Sequence, residues 1–558
     1  MAKTLSRRGL LQLGGAAVAA PYLWLPARAD EPAWATQTIG PFVEVETASG
    51  RIRGGHSRGA LAFKAIPYAG SVSGKNRFKA PPKVTPWTGV RDATLLGSPA
   101  LQAPGGTYGE HEPAYSEDCL ILNVWTPATD GAKRPVMFYC HGGGFTAGSG
   151  GQKSQDGAKL AITYDVVVVA LNHRLGLFGY LYLAELLGAD YAASGNQSHL
   201  DIVAALGWVK ENIARFGGDP GNVMVFGESG GGFKTSALLA MPAAQGLFHK
   251  AAIQSGSMLR GMSKEAATET TLRVLAGLGL GAKDVHKLID IPAQQLLAVQ
   301  IGGDDAPLAV PTKEWRVRHP GSSSQGRAEP GSWGPVVDGN FLPADPFDPA
   351  APASAASVPL ILGNCRDEAV FFEREHPDFF HADEAALTAK AQKDLGPIAD
   401  RVMALYRRTR PKATPVERAI AIETATLFGN DTVTLADRKA QQAAPVYRYR
   451  YDYQSNTPIP GTDWTYRAAH ASDIAMVFYN YEFKDLQGGA PGIAEASKAM
   501  SGYFTSFARS TVPSAASQPA WPRYDSEKRA TMLINSQSRV ENDPDSEERQ
   551  FWQAANKA

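Results

Sequence analysis

One six-residue segment, Gly227-Glu228-Ser229-Gly230-Gly231-Gly232, constrains the fold of this 558-residue chain more than any other. The bare pattern G-x-S-x-G is weak, because a glycine-rich chain of this length produces it by chance roughly 0.3–0.4 times. Its surroundings are not weak. It follows the apolar run Val223-Met224-Val225-Phe226 and runs into a helical pattern from Gly230 onward. A serine on such a strand–turn–helix junction has its oxygen lifted to the carboxyl edge of a sheet and set at a helix N-terminus. The turn is too tight for side chains on either flank, so glycines stand there. This is the setting of a nucleophile.

The rest of the middle of the chain agrees with a strand–helix alternation. Pro135–Cys140 and Asp165–Leu171 read as buried strands, and Ala251–Gln254 and Pro359–Leu362 as shorter ones. Residues 199–216 form an amphipathic helix pattern that stops at Gly217-Gly218-Asp219-Pro220. Strands separated by helices imply an α/β protein with a largely parallel sheet covered on both faces. Residues 262–300 and 380–440 read as helical additions above that sheet. The stretches 318–335, 343–358 and 510–523, rich in Pro, Ser, Gly or Ala, read as loops. Candidate catalytic residues lie on both sides of every plausible boundary, so residues 30–558 are read as one large domain.

A second glycine cluster, His141-Gly142-Gly143-Gly144-Phe145, comes directly after the strand ending at Cys140. Three glycines let backbone N–H groups turn inward towards a substrate oxygen. With the serine turn, this forms an oxyanion hole from the N–H groups of Gly143, Gly144 and Gly230. Such donors contribute about 3 kcal/mol each to a transition state. His141 reads as a brace for the loop rather than a base.

These motifs belong to a longer series. Phe63-Lys64-Ala65-Ile66-Pro67-Tyr68-Ala69, Ser116-Glu117-Asp118-Cys119-Leu120, Asn172-His173-Arg174-Leu175-Gly176, Gly195-Asn196 and Phe216-Gly217-Gly218-Asp219-Pro220 accompany them. Together the blocks resemble the type-B carboxylesterase family, which includes the cholinesterases. The likeness is densest over residues 40–260 and continues to about 535. It implies an α/β-hydrolase fold: a central, mostly parallel, twisted sheet flanked by helices, with helical insertions over the active site. It also implies a serine carboxylic ester hydrolase that works through an acyl-enzyme on small to medium esters.

The resemblance places the other two catalytic positions. In such enzymes the acid sits in a D-E-x-x-x-F setting after a strand, which matches Glu368 in Asp367-Glu368-Ala369-Val370-Phe371-Phe372. Asp367 is the alternative acid. The histidine precedes a D-x-x-x-V-F segment, which matches His470 before Asp473 and Val477-Phe478. Serine, acid, histidine is also the chain order this fold demands. Of eleven histidines, His470 is the only one beyond His381. The candidate triad is therefore Ser229, Glu368 and His470. The chemistry requires no metal or organic cofactor, and His376-x-Asp378-x-x-His381 lacks the spacing of a helical metal motif.

Two departures from the family stand out. Alanine usually follows the nucleophile, whereas this chain has Gly230. Cys119 has Ala100 where many relatives carry its disulfide partner, so that disulfide is expected to be absent. Between Ala100 and Cys119 the only aromatics are Tyr108 and Tyr115. The tryptophan that meets choline by cation–π attraction in cholinesterases has no counterpart there, and no choline specificity is expected. Phe145, Trp333, Phe371 and Phe372 are candidates for lining the substrate pocket or packing the core.

Lysine plus arginine equals aspartate plus glutamate, 55 each, and no basic stripe is present, which excludes a nucleic-acid partner of the usual electrostatic kind. The partner is a small-molecule ester. Alternatives are a related amide, carbamate or lactone hydrolase, or a non-catalytic binding module.

Residues 1–29 read as a twin-arginine signal peptide: Ser6-Arg7-Arg8-Gly9-Leu10-Leu11, a mildly apolar stretch to Pro26, then Ala27-Arg28-Ala29. Gln12 and many small residues make that stretch a poor anchor, and no later run approaches the 18 or so apolar residues of a spanning helix. The mature chain is expected to start near Asp30, without stable membrane insertion, in a bacterial periplasm or outside the cell.

Overall fold

A computed structural model of the chain describes residues 42–103, 113–301 and 330–555. All of them belong to one compact unit, Ile39–Ala558. The signal-peptide reading, Tyr108, and residues 318–329 of one expected loop lie outside the described residues.

Among the described residues the centre is a 13-stranded sheet. Its first part is antiparallel: β1 (Val43–Thr47), β2 (Gly50–Ser57), β3 (Ala60–Pro67) and β5 (Ile121–Thr126) pair in turn, and the short β4 (Val90–Asp92) lies beside β2. β5 then meets β7 (Val167–Leu171), also antiparallel. From β7 the sheet is parallel through β6 (Arg134–Cys140), β8 (Gly218–Glu228), β9 (Lys250–Gln254), β10 (Leu360–Cys365), β11 (Val446–Tyr451) and β14 (Ala530–Ile534). β15 (Arg539–Asn542) closes it antiparallel, and β12 (Ser455–Pro458) and β13 (Thr465–Arg467) form a separate ribbon.

The parallel strands are buried on both faces, which is why they read as continuous apolar runs. Successive side chains alternate between the faces. Val136, Phe138, Val167, Val169, Val223 and Val225 join one core cluster with Ile202, Leu206 and Val209 of the helix Gln197–Asn212. Met137, Tyr139, Val168, Met224 and Phe226 join another with Met500, Tyr503, Phe504 and Phe507 of the helix Ile493–Ser510. Each such side chain contributes about 1.5–3 kcal/mol by leaving water.

The helical additions are present. Lys264–Gly277 and Ala293–Ile301 occupy the first predicted stretch; Glu384–Leu395, Ala399–Thr409, Pro415–Thr424 and Asn430–Lys439 occupy the second. Between the last two, Ala425–Gly429 makes a π-helical turn. The insertions pack Val274, Leu275, Leu288, Leu296 and Phe428 into one apolar cluster with Phe145, Phe178, Phe233 and Trp333.

The order β7-β6-β8 makes β6 a switch point: the chain leaves it to one side, then returns on the other. Ligands of open α/β sheets bind at the carboxyl ends of strands where such a reversal occurs. The two glycine motifs follow β6 and β8 directly.

Candidate active site

Ser229 stands between β8 and the helix Gly230–Ala240, with φ 55° and ψ −122°. A non-glycine residue there is strained by about 1–3 kcal/mol, and the surroundings hold it. Its N–H donates to Gln254 O at 2.8 Å, across from the end of β8. The flanking glycines are sterically required. A Cβ on Gly231 would stand 1.9 Å from Cys140 O, and one on Gly227 would stand 2.5 Å from Gly231 O.

Register brings the second motif to the first. In the β6–β8 pair Cys140 lies opposite Gly227, so His141–Gly144 emerges beside the serine turn. A Cβ on Gly142 would sit 3.4 Å from Ser229 Cβ. Gly143 and Gly144 take φ of 84° and 59°, which glycine adopts freely. Among the described residues, the N–H groups of Gly143, Gly144 and Gly230 donate to no other group. The departure at Gly230 has a local cause: a Cβ there would stand 2.0 Å from Gly144 O.

The structure brings Glu368 and His470 together from either side of β11. His470 Nδ1 lies 2.5 Å from Glu368 Oε2. The other carboxylate oxygen accepts from Ser255 Oγ at 2.5 Å and from Cys365 N at 2.6 Å. Asp367 lies apart from the histidine: it accepts from Gln454 Nε2 at 3.2 Å and from Ala468 N at 3.4 Å. His470 Nε2 faces Glu228 Oε1 at 3.3 Å, and among the described residues no hydrogen bond joins it to Ser229 Oγ.

Four buried titratable groups thus crowd one site. Burial pushes Glu228 up to about 8, opposed by His470 and reinforced by Asp473 and Glu368. Burial also raises Asp473, to about 6; its carboxylate accepts from Gln254 Nε2 and Tyr449 OH, each at 2.9 Å. For His470 burial works against the charged form, but Glu228, Glu368 and Asp473 outweigh it and lift the imidazole to about 9.

Aromatic rings enclose the histidine. Phe428 lies parallel to it at 4.7 Å with 12° between planes; Phe372 and Phe371 follow at 5.0 and 5.7 Å. The π-helical turn is what presents Phe428. Phe145 stacks edge-on against Tyr180 instead, and Trp333 and Tyr115 belong to the same apolar cluster. Glu228, Ser255 and Phe428 were not singled out from the sequence. Glu228 alone carried a signal, as the variable position of the serine motif itself.

Comparisons with known proteins place the chain in a family. The profile of the carboxylesterase family matches residues 41–552. The para-nitrobenzyl esterase of Bacillus subtilis (strain 168) is 37% identical over 513 residues, spanning 91% of this chain and 97% of that protein. The liver carboxylesterase of Sus scrofa is 32% identical over 570 residues, spanning 92% and 94%. Among solved structures, a carboxylesterase of Geobacillus stearothermophilus superposes with a TM-score of 0.76 at 37% identity, covering 91% of this chain and 99% of that one.

Proposed function

The chain belongs to the carboxylesterase family and is a carboxylic ester hydrolase, and we propose that it acts through Ser229, Glu368 and His470. The observation that carries this assignment is the Glu368 Oε2–His470 Nδ1 contact of 2.5 Å beside a serine held at a strained strand–helix turn. Glu368 fixes the tautomer with hydrogen on Nδ1 and leaves the Nε2 lone pair free to act as base. His470 swings from Glu228 to Ser229 Oγ and takes its proton as the oxygen attacks the ester carbonyl. The N–H groups of Gly143, Gly144 and Gly230 receive the developing oxyanion. His470 then protonates the leaving alcohol, and an acyl-enzyme remains. Water, deprotonated by the same imidazole, releases the acid and restores Ser229.

The substrates are small to medium carboxylic esters. Amide, carbamate or lactone hydrolysis by the same groups is a secondary reading, separated by turnover of an ester and its matched amide. The direct test is Ser229→Ala on a series of p-nitrophenyl esters. A loss of about 10³-fold or more supports the assignment; an unchanged rate removes it.

The N-terminal pattern supports a further reading: the protein is exported through the twin-arginine route and works in the periplasm or outside the cell. The family match begins at residue 41, after the signal-like segment. No helix among the described residues is long and apolar enough to cross a membrane. Replacing Arg7 and Arg8 by lysine is expected to abolish export; unchanged fractionation would refute the route.

A further inference from the structure

Lys234 lies five residues beyond Ser229, on the helix that the serine turn opens, with no exposure to solvent. Its Nζ donates to His141 O at 3.0 Å, and the same ammonium lies 5.9 Å from the centre of the Phe145 ring. The two contacts bracket the loop His141–Phe145 at both ends. Among the described residues it forms no ion pair. The titratable groups around it are Cys140 at the end of β6, His141 on the loop, His173 after β7, and His199 on the helix Gln197–Asn212.

Those neighbours do not act as counter-charges. His141 and His173 stack 4.5 Å apart with 5° between planes. His141 Nδ1 donates to Gly142 O at 2.9 Å, and His173 Nδ1 lies 3.0 Å from Arg174 O and 2.9 Å from Ser198 Oγ. Among the described residues the Nε2 atoms of His141 and His173 have no hydrogen-bond partner, and neither nitrogen of His199 has one. Burial without a carboxylate pulls Lys234 down to about 7. A buried amine in such a place is costly, and a methionine would fill the same space without that cost.

What Lys234 gains is the loop. Its three glycines have no side chains to anchor it, and it must sit within narrow limits. Gly144 O is already at the distance where one added methyl on Gly230 would collide. We propose that Lys234 is a positioning residue for the oxyanion loop: its Nζ–H bond to His141 O, with its contact on Phe145, holds the loop where the N–H groups of Gly143 and Gly144 meet the tetrahedral oxyanion. The inference rests on the ester-hydrolase reading above and assigns no group to Lys234 on the substrate.

The test compares Lys234→Met with wild type in three readouts: kcat and KM on p-nitrophenyl butyrate, Ki of an alkyl trifluoromethyl ketone, and thermal midpoint. The ketone adds to the serine and places an oxyanion in the hole. Loss of loop positioning is expected to lower kcat per titrated active site by about tenfold or more and to weaken the ketone by a similar factor. KM is expected to stay within about twofold. If kcat and Ki both stay within about twofold of wild type, whatever the thermal midpoint does, the proposal is overturned. Should the methionine variant not fold, Lys234→Gln is read by the same two assays: a joint loss in kcat and ketone affinity supports the role, and wild-type values refute it. Ser229→Ala is carried alongside. If that variant still hydrolyses the ester at the wild-type rate, it is the nucleophile assignment that fails, and the fate of Lys234 is read separately from the ketone.

Discussion

Glu228 Oε1 lies 3.3 Å from His470 Nε2, on the opposite side of the ring from Glu368. The imidazole is therefore held between two carboxylates, with Asp473 adding a third nearby. Each favours the protonated ring. Base catalysis needs the neutral ring, so the same contacts that position His470 also restrain it.

The first expectation concerns pH. A raised His470 value means that kcat/KM climbs as pH rises through it and falls away below it. Glu228→Gln removes one carboxylate, lowers the imidazole value, and shifts the acid limb of the kcat/KM profile down by about one unit. A limb that stays in place or moves up would break the link between Glu228 and the base.

A methyl at Gly230 tests the packing of the oxyanion loop. Gly230→Ala keeps the N–H donor but puts Cβ at 2.0 Å from Gly144 O, so the loop must move. We expect kcat to fall by about tenfold or more with a smaller change in KM. An alanine variant with wild-type kcat would mean that the loop relaxes without cost.

Ser255 anchors the oxygen of Glu368 that His470 does not use. Removing a hydrogen bond to a buried carboxylate costs about 1.5–3 kcal/mol. Ser255→Ala is expected to lower stability by that order in chemical denaturation, and kcat by several-fold as Glu368 loosens. Unchanged stability and kcat would show that Cys365 N alone suffices.

Cys119, Cys140 and Cys365 are all unpaired and fully buried. Burial pushes each thiol up, Cys140 to about 12. A thiolate reagent should find no reactive thiol in the folded protein. In the denatured, unreduced protein it should find all three. A lower count would reveal a disulfide.

Much of this site was legible because its chemistry is local. The serine motif and the glycine loop each follow a strand whose unbroken apolar run marks it as doubly buried, and their sequences state what their turns require. β1 to β3 were not legible: Gly50–Ser57 mixes glycine, arginine and histidine at a half-exposed margin, with no clean period. β11 was masked by its arginines. Val446–Tyr451 alternates tyrosine and arginine, and the strand is nearly all buried because Arg450 pairs with Asp452 and Arg448 meets Thr531. Lys234 reads as an ordinary helix-face charge. Only three dimensions reveal that its helix is buried on nearly every side. Phe428 owes its place to a π-helical turn, which leaves no pattern in the sequence.

The pairing of Cys140 with Gly227 has a consequence for how this protein can fail. A slip of one residue along a strand displaces everything beyond it by about 3.3 Å and turns each side chain to the other face. Such a slip between β6 and β8 would separate the attacking oxygen from the groups that receive its charge, while leaving every catalytic residue intact. Turnover is thus a gauge of alignment at the middle of the sheet. A damaged or misfolded molecule would fall silent before it lost its secondary structure, and a working one certifies that its deepest strands are in step.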